Sequence, residues 1–145
     1  MERGGKKMSG SKKITIVQMN DNHAYVDLHQ EIFWQGDHFV YLPAGGYAHI
    51  ATIVKQIRSE TQGGCLFCDC GDTLHGTYTA QKTQGQALIP VLNSLDLDAM
   101  TAHWEFAYGP KIFQQRVLEL RYPMIAINIY DKETGDKDYR NASRW

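Results

Sequence analysis

Apolar positions along the chain alternate between two spacings, and the alternation predicts the elements. ITIVQM (14–19) is a compact β-branched run, the pattern of a strand. In GGYAHIATIVKQIRSE (45–60), Ile50, Ile53, Val54 and Ile57 recur at helical spacing, with Lys55, Gln56 and Arg58 outside the stripe. LFCDC (66–70) is a second apolar strand. Between about Gln84 and Leu95, Leu88, Val91, Leu92 and Leu95 share one helical side, and Pro90 sets the regular part to begin near Ile89. DAMTA (98–102) predicts a third strand, IFQQRVLEL (112–120) a helix and PMIAINI (123–129) a fourth strand. The order β-α-β-α-β-α-β predicts an α/β fold with a largely parallel sheet and right-handed crossovers. Residues 24–44, containing EIFWQGDHFVYLP, are too long for an ordinary βα loop and predict a hairpin or lid.

A chain of 145 residues supports one domain with a real core. Residues 1–13 read as a disordered leader, 14–129 as the domain, and 130–145 as a polar tail in which a truncated chain stops. The net charge of −1 and the lack of a basic stripe argue against a nucleic-acid duplex as partner. No run is long and apolar enough to cross a bilayer, so no membrane partner is expected. MERGGKKMSGSKK lacks the apolar segment of a secretory signal, so the chain as written is expected in the cytoplasm. Cys65 and Cys68 have no second Cys/His pair at zinc-ligand spacing. In an extended strand they point to opposite faces, while Cys68 and Cys70 share one, and all three are expected to be reduced, buried core residues.

Chemistry collects at the strand ends. In an open α/β sheet, ligands bind beyond the carboxyl ends of the strands. The first predicted strand ends in Asn20-Asp21-Asn22-His23, the second in Gly71-Asp72, the third in His103-Trp104-Glu105, and the fourth near Asn128. Singly, each has a structural explanation: Asp21 in a turn, Asp72 as an N-cap, His23 or His103 as a surface histidine. Three consecutive strands ending this way are harder to explain so. Asp21 and His23, two apart, face the same way in an extended segment and offer an oxygen and a nitrogen to one cation. The two oxygens of Asp72 can bridge cations about 3.5–4 Å apart. His103 offers a nitrogen to the second ion. Mixed carboxylate and imidazole donors suit Mn, Fe or Zn. Two divalent ions against two carboxylates leave positive charge for a small anionic substrate.

Taken in order, QMNDNHAY, GGYAHIATIVKQIR, CDCGDTLHGT, LNSLDLDAMTAHWEFAYG and YPMIAINI resemble the successive N-terminal blocks of the 5′-nucleotidase group of calcineurin-like metallophosphoesterases. The resemblance runs from Ile14 to Ile129, and the ordered set is specific where any single block is weak. It implies the N-terminal half of a four-layer α/β/β/α sandwich carrying two divalent metal ions, with Asp21, His23 and Asp72 as ligands and Asp72 as the bridge. It also implies further histidine ligands from blocks beyond the fourth strand. No histidine follows Asn128 here, so a C-terminal half or self-association is expected to complete the site and to cover a bare sheet face.

One block departs from the family. Where its common form reads Gly-Asn-His-Glu-Phe-Asp, this chain reads Ala102-His103-Trp104-Glu105-Phe106-Ala107. His103 can still bind metal, but Trp104 stands in for the histidine that assists the leaving group and Ala107 for the aspartate that orients it. Indole has no basic nitrogen and cannot act as a general acid at neutral pH, which leaves the catalytic residues unassigned and predicts a poor nucleotidase. A His-Trp-Glu block resembles that of the di-manganese thiosulfohydrolases of bacterial sulfur oxidation, usually periplasmic enzymes that hydrolyse a carrier-bound cysteine S-thiosulfonate. The expectations are therefore a metal-dependent hydrolase of a phosphate ester or related oxyanion, the narrower thiosulfohydrolase, or a non-catalytic metal-binding remnant. Glu105 is expected to steady a ligand or the backbone, His75 to touch substrate or face solvent, and Asn128 to orient a ligand.

Overall fold

Three parallel strands run side by side in the order β1-β4-β5, where β1 is Thr15–Met19, β4 Cys65–Asp69 and β5 Ala99–Met100. The computed structural model describes residues 13–61 and 64–126. An antiparallel hairpin, β2 (Leu28–Gln35) and β3 (His38–Gly45), follows β1, as the length of that segment predicted. Helix α1 (Tyr47–Glu60) then crosses to β4. Two short helices, α2 (Tyr78–Thr83) and α3 (Ile89–Asn93), lead to β5, and α4 (Pro110–Glu119) follows it. Met124 extends the parallel order beyond β5: it bridges Met100, whose amide donates to Pro123 O while its carbonyl accepts from Ile125 N.

Every crossover steps the same way across this sheet. Right-handed connections that all step one way place all their helices on one face. The core agrees: Met19, Phe67, Met100 and Met124 of the sheet pack with Val54 of α1, Leu92 of α3, and Phe113 and Val117 of α4. Truncating Phe67 at its centre would cost about 3–5 kcal/mol. The opposite face is bare: Ile14, Ile16 and Leu66 are 62%, 69% and 45% exposed, with Ile16 directly beside Leu66. The described residues thus form helices over one sheet, two of the four layers expected.

Several local expectations shift. The helix expected over 84–95 is broken, because Gln84 caps α2 in a left-handed conformation and only a 3₁₀ turn (Gln86–Leu88) precedes α3. Pro90 does sit in the first turn of α3. The missed helix α2 starts at Thr77, whose hydroxyl accepts from Ala80 N. The third strand shortens to two residues. Asn128, the rest of the fourth predicted strand, the leader through residue 12 and the tail lie outside the described residues. The cysteines are free but half-buried rather than buried, since Cys68 shares the uncovered face with Leu66. Among the described residues no helix is long and apolar enough to cross a membrane.

Candidate metal centre

Three loops meet at the carboxyl edge of the sheet, and backbone bonds stitch them together. The amide of Asp21 donates to Gly71 O at 3.0 Å and that of His23 to Asp72 O at 2.8 Å, joining the loops after β1 and β4. Asp21, His23 and Asp72 all take positive φ (55°, 46° and 58°), a region that side chains other than glycine's enter at a cost of about 1–3 kcal/mol each. Such strain concentrates where a fold must aim side chains. Gly71, at φ 94°, lets the loop after β5 approach: a Cβ there would lie 2.8 Å from His103 N.

Asp72 is the hub. It is only 6% exposed, and one oxygen lies 2.9 Å from His75 Nε2 while also accepting from the Trp104 amide at 3.0 Å. Its other oxygen lies 2.9 Å from His103 Nδ1 and 3.8 Å from His23 Nε2. Burial pushes the carboxyl upward, but the hydrogen bonds from His103, His75 and the Trp104 amide outweigh it and hold it down at about 2. The same bond to Asp72 raises the exposed His103 imidazole. His23 Nε2 also lies 3.8 Å from Asp21 Oδ1, and donor atoms of Asp21, His23 and Asp72 sit within 4.8 Å of one another. An ionised, buried carboxylate ringed by imidazoles, beside a half-exposed second carboxylate, is a donor set that fits a divalent transition metal.

Behind these side chains lies a rigid polar brace. Glu105, 2% exposed, accepts from Thr73 N and His103 N, both at 2.7 Å, and so ties the loop carrying Asp72 to the loop carrying His103. Asp69, 1% exposed at the end of β4, accepts from Gly71 N and the Thr73 hydroxyl. Burial pushes its carboxyl from 3.8 up to about 7, and those two hydrogen bonds recover only part of the penalty.

The structure brings Asp21, His23, Asp72 and His103 to one corner, with His75 and Glu105 attached to it. His75 does not face solvent; it rests on Asp72 with 18% of its side chain exposed. The Trp104 indole turns outward, 62% exposed, and only its amide reaches the centre. Trp34 and Tyr41 lie exposed on the hairpin, whereas Tyr108 bonds weakly to Leu74 O. Sequence reasoning missed Asp69 and the hairpin base. The acidic residue at the end of the apolar run LFCDC was the available sign of the first, and the Tyr25, His29 and Glu31 alternation of the second. A cavity of about 380 Å³ opens beside Asp21 and His23 and is also lined by His29 and Glu31 of β2.

No protein-family model matches the chain. Individual proteins do. The chain is 28% identical over 132 residues to Protein UshA of Salmonella pullorum, covering 88% of this chain and 22% of that one. It is 32% identical over 125 residues to the snake venom 5′-nucleotidase of Naja atra, covering 85% of this chain and 23% of the other. The chain belongs to the 5′-nucleotidase metallophosphoesterase superfamily. It corresponds to the N-terminal part of that fold and spans just over a fifth of the length of these curated relatives. Among solved structures, the sulfate thiohydrolase SoxB of Thermus thermophilus shares the fold with a TM-score of 0.72 at 18% identity, over 92% of this chain and 33% of that one.

Proposed function

We propose that the chain carries the N-terminal half of the active centre of a dinuclear metal-dependent hydrolase acting on a phosphate ester or related tetrahedral oxyanion. The observation that carries this is Asp72, buried and ionised, with imidazoles from three loops converging on its two oxygens. Asp21, His23, Asp72 and His103 would hold the ions, with the two oxygens of Asp72 available to both. Mn, Zn and Fe all suit that donor set. Bound there, the ions supply a polarised water and neutralise charge developing on a small anionic substrate. The remaining work falls to the protein. Glu105 and His75 fix the donors from behind, and Asn128 is assigned a similar orienting role. Further donors, and a cover for Ile14, Ile16 and Leu66, come from a C-terminal half or a second copy.

The second reading is thiosulfohydrolase-like hydrolysis of a cysteine S-thiosulfonate. It is favoured by the His103-Trp104-Glu105 block, which lacks the imidazole expected at a nucleotidase leaving group. One experiment separates the readings. The Mn²⁺-loaded protein is assayed for phosphate release from AMP and for sulfate release from cysteine S-sulfonate, with Asp72→Ala as control. Phosphate release lost in the variant supports the first reading, and sulfate release alone supports the second. Metal bound without either activity leaves a binding remnant. Equal metal content in wild type and Asp72→Ala would refute all three.

A further inference from the structure

The block at 103–107 lacks the family's histidine–aspartate pair, yet a histidine and a carboxylate stand together on the cavity beside Asp21 and His23. His29 and Glu31 stand on β2 and line the same cavity of about 380 Å³ as Asp21 and His23. His29 Nε2 lies 3.2 Å from Glu31 Oε2, and Nδ1 lies 3.4 Å from the Asp27 carbonyl oxygen. Both ring nitrogens therefore face oxygen acceptors. The ring is also held in place. Tyr25 stacks on it at 4.3 Å, and Gly45 on the neighbouring strand leaves it room, since a Cβ there would lie 2.7 Å from the ring carbon Cε1. The titratable groups facing the ring are Glu31, Tyr25 and, on the same cavity, Asp21 and His23.

We propose that His29, braced by Glu31, is the proton donor to the leaving group, an inference that rests on the hydrolase reading above. Glu31 accepts from Nε2–H and fixes the orientation of the ring. Nδ1, bound only by the long contact to Asp27, gives up its proton. The attacking water forms the new phosphorus–oxygen bond, the ester phosphorus–oxygen bond breaks, and its electron pair stays on the departing oxygen. That oxygen takes the Nδ1 proton, and the neutral ring is reprotonated by the proton that the water releases. Ester and water become alcohol and phosphate with nothing left over. Glu31 is a positioning residue and does not change its own protonation.

The leaving group tests this. A simple alkyl phosphate needs the proton, whereas 2,4-dinitrophenyl phosphate departs without it. In the Mn²⁺-loaded protein, His29→Asn should lower kcat/KM for the alkyl ester by about 10²-fold or more and for the dinitrophenyl ester by less than about tenfold. Glu31→Gln should show the same asymmetry with smaller losses, and its change is mild enough to guard against misfolding. In the Zn²⁺-loaded protein, inorganic phosphate should shift the ring NMR signals of His29. Equal losses on both esters, or ring signals indifferent to phosphate, would overturn the acid role alone. A wild type that hydrolyses neither ester refutes the hydrolase reading and this role with it.

Discussion

Removing the Glu105 side chain should loosen the fold and the metal centre together, because one carboxyl holds two loops. Its oxygens accept from Thr73 N and His103 N at 2.7 Å, and from Leu74 N at a weaker 3.4 Å. The carboxyl is buried, with Glu105 only 2% exposed, and so are its bonds to Thr73 and Leu74, where water cannot replace the lost acceptor without rearrangement; the bond to His103 is part-buried. A buried amide left unpaired costs about 1–3 kcal/mol, so the Thr73 bond alone predicts a loss of about that size in Glu105→Ala, with the part-buried His103 bond adding less. Glu105→Gln keeps one oxygen but sets an amide donor against a backbone N–H, and should cost about half as much. Because Thr73 adjoins Asp72 and the other close bond is to His103 itself, Mn²⁺ affinity should fall about 10–100-fold, the usual penalty for disturbing groups that orient metal ligands. Urea denaturation without metal gives the first number and calorimetric Mn²⁺ titration the second. A Glu105→Ala protein within about 0.5 kcal/mol of wild type, a typical surface effect, would refute the brace. At saturating Mn²⁺ the Gln variant should recover most of its activity, which a residue acting on substrate would not.

Three other outcomes follow from the same geometry. Asp69 has its carboxyl raised from 3.8 to about 7, so the folded state holds a proton the unfolded chain has released; stability is full below about pH 4, falls as pH rises toward 7, and the loss amounts to about 4 kcal/mol. Asp69→Asn should flatten the stability difference between pH 5 and pH 8 measured by urea denaturation, and an unchanged slope would contradict the assignment. Trp104→His with Ala107→Asp, introduced into His29→Asn, should restore alkyl phosphate hydrolysis by about 10²-fold, whereas no rescue would show that position 104 cannot reach the leaving group. Gly71→Ala meets His103 N at 2.8 Å from a backbone at φ 94°, and should lower both the melting temperature and Mn²⁺ affinity; a variant with wild-type values would show that the two loops need not touch.

The sheet and its helices were legible because burial on one face writes a period into the sequence. Ile50, Val54 and Ile57 marked α1, and the run from Leu66 to Cys70 marked β4. What escaped was short or polar. α2 has one buried residue, Ala80, so it leaves no stripe to read, and its start depends on a single threonine cap. β5 is two residues long, because the chain pairs with β4 only through Ala99 and Met100 before turning to present His103. At the corner, residue types pointed to Asp21, His23, Asp72 and His103, since carboxylates and imidazoles after successive strands are rare without a cause. The role of His75 was not legible, because whether an imidazole three residues past Asp72 turns inward depends on a loop conformation that composition does not specify. Nor was the place of His29 on the cavity, which depends on how the hairpin folds back beside Asp21.

Two cations sharing Asp72 are the centre of the proposed function. Crystals of the protein soaked in Mn²⁺, with diffraction recorded at the manganese absorption edge, would locate them without reference to activity. The expected map has two anomalous peaks about 3.5–4 Å apart, one against each oxygen of Asp72, the first also bonded to Asp21 and His23 and the second to His103. A map with no peak in bonding reach of Asp72, at a Mn²⁺ concentration that occupies sites elsewhere on the surface, would contradict it.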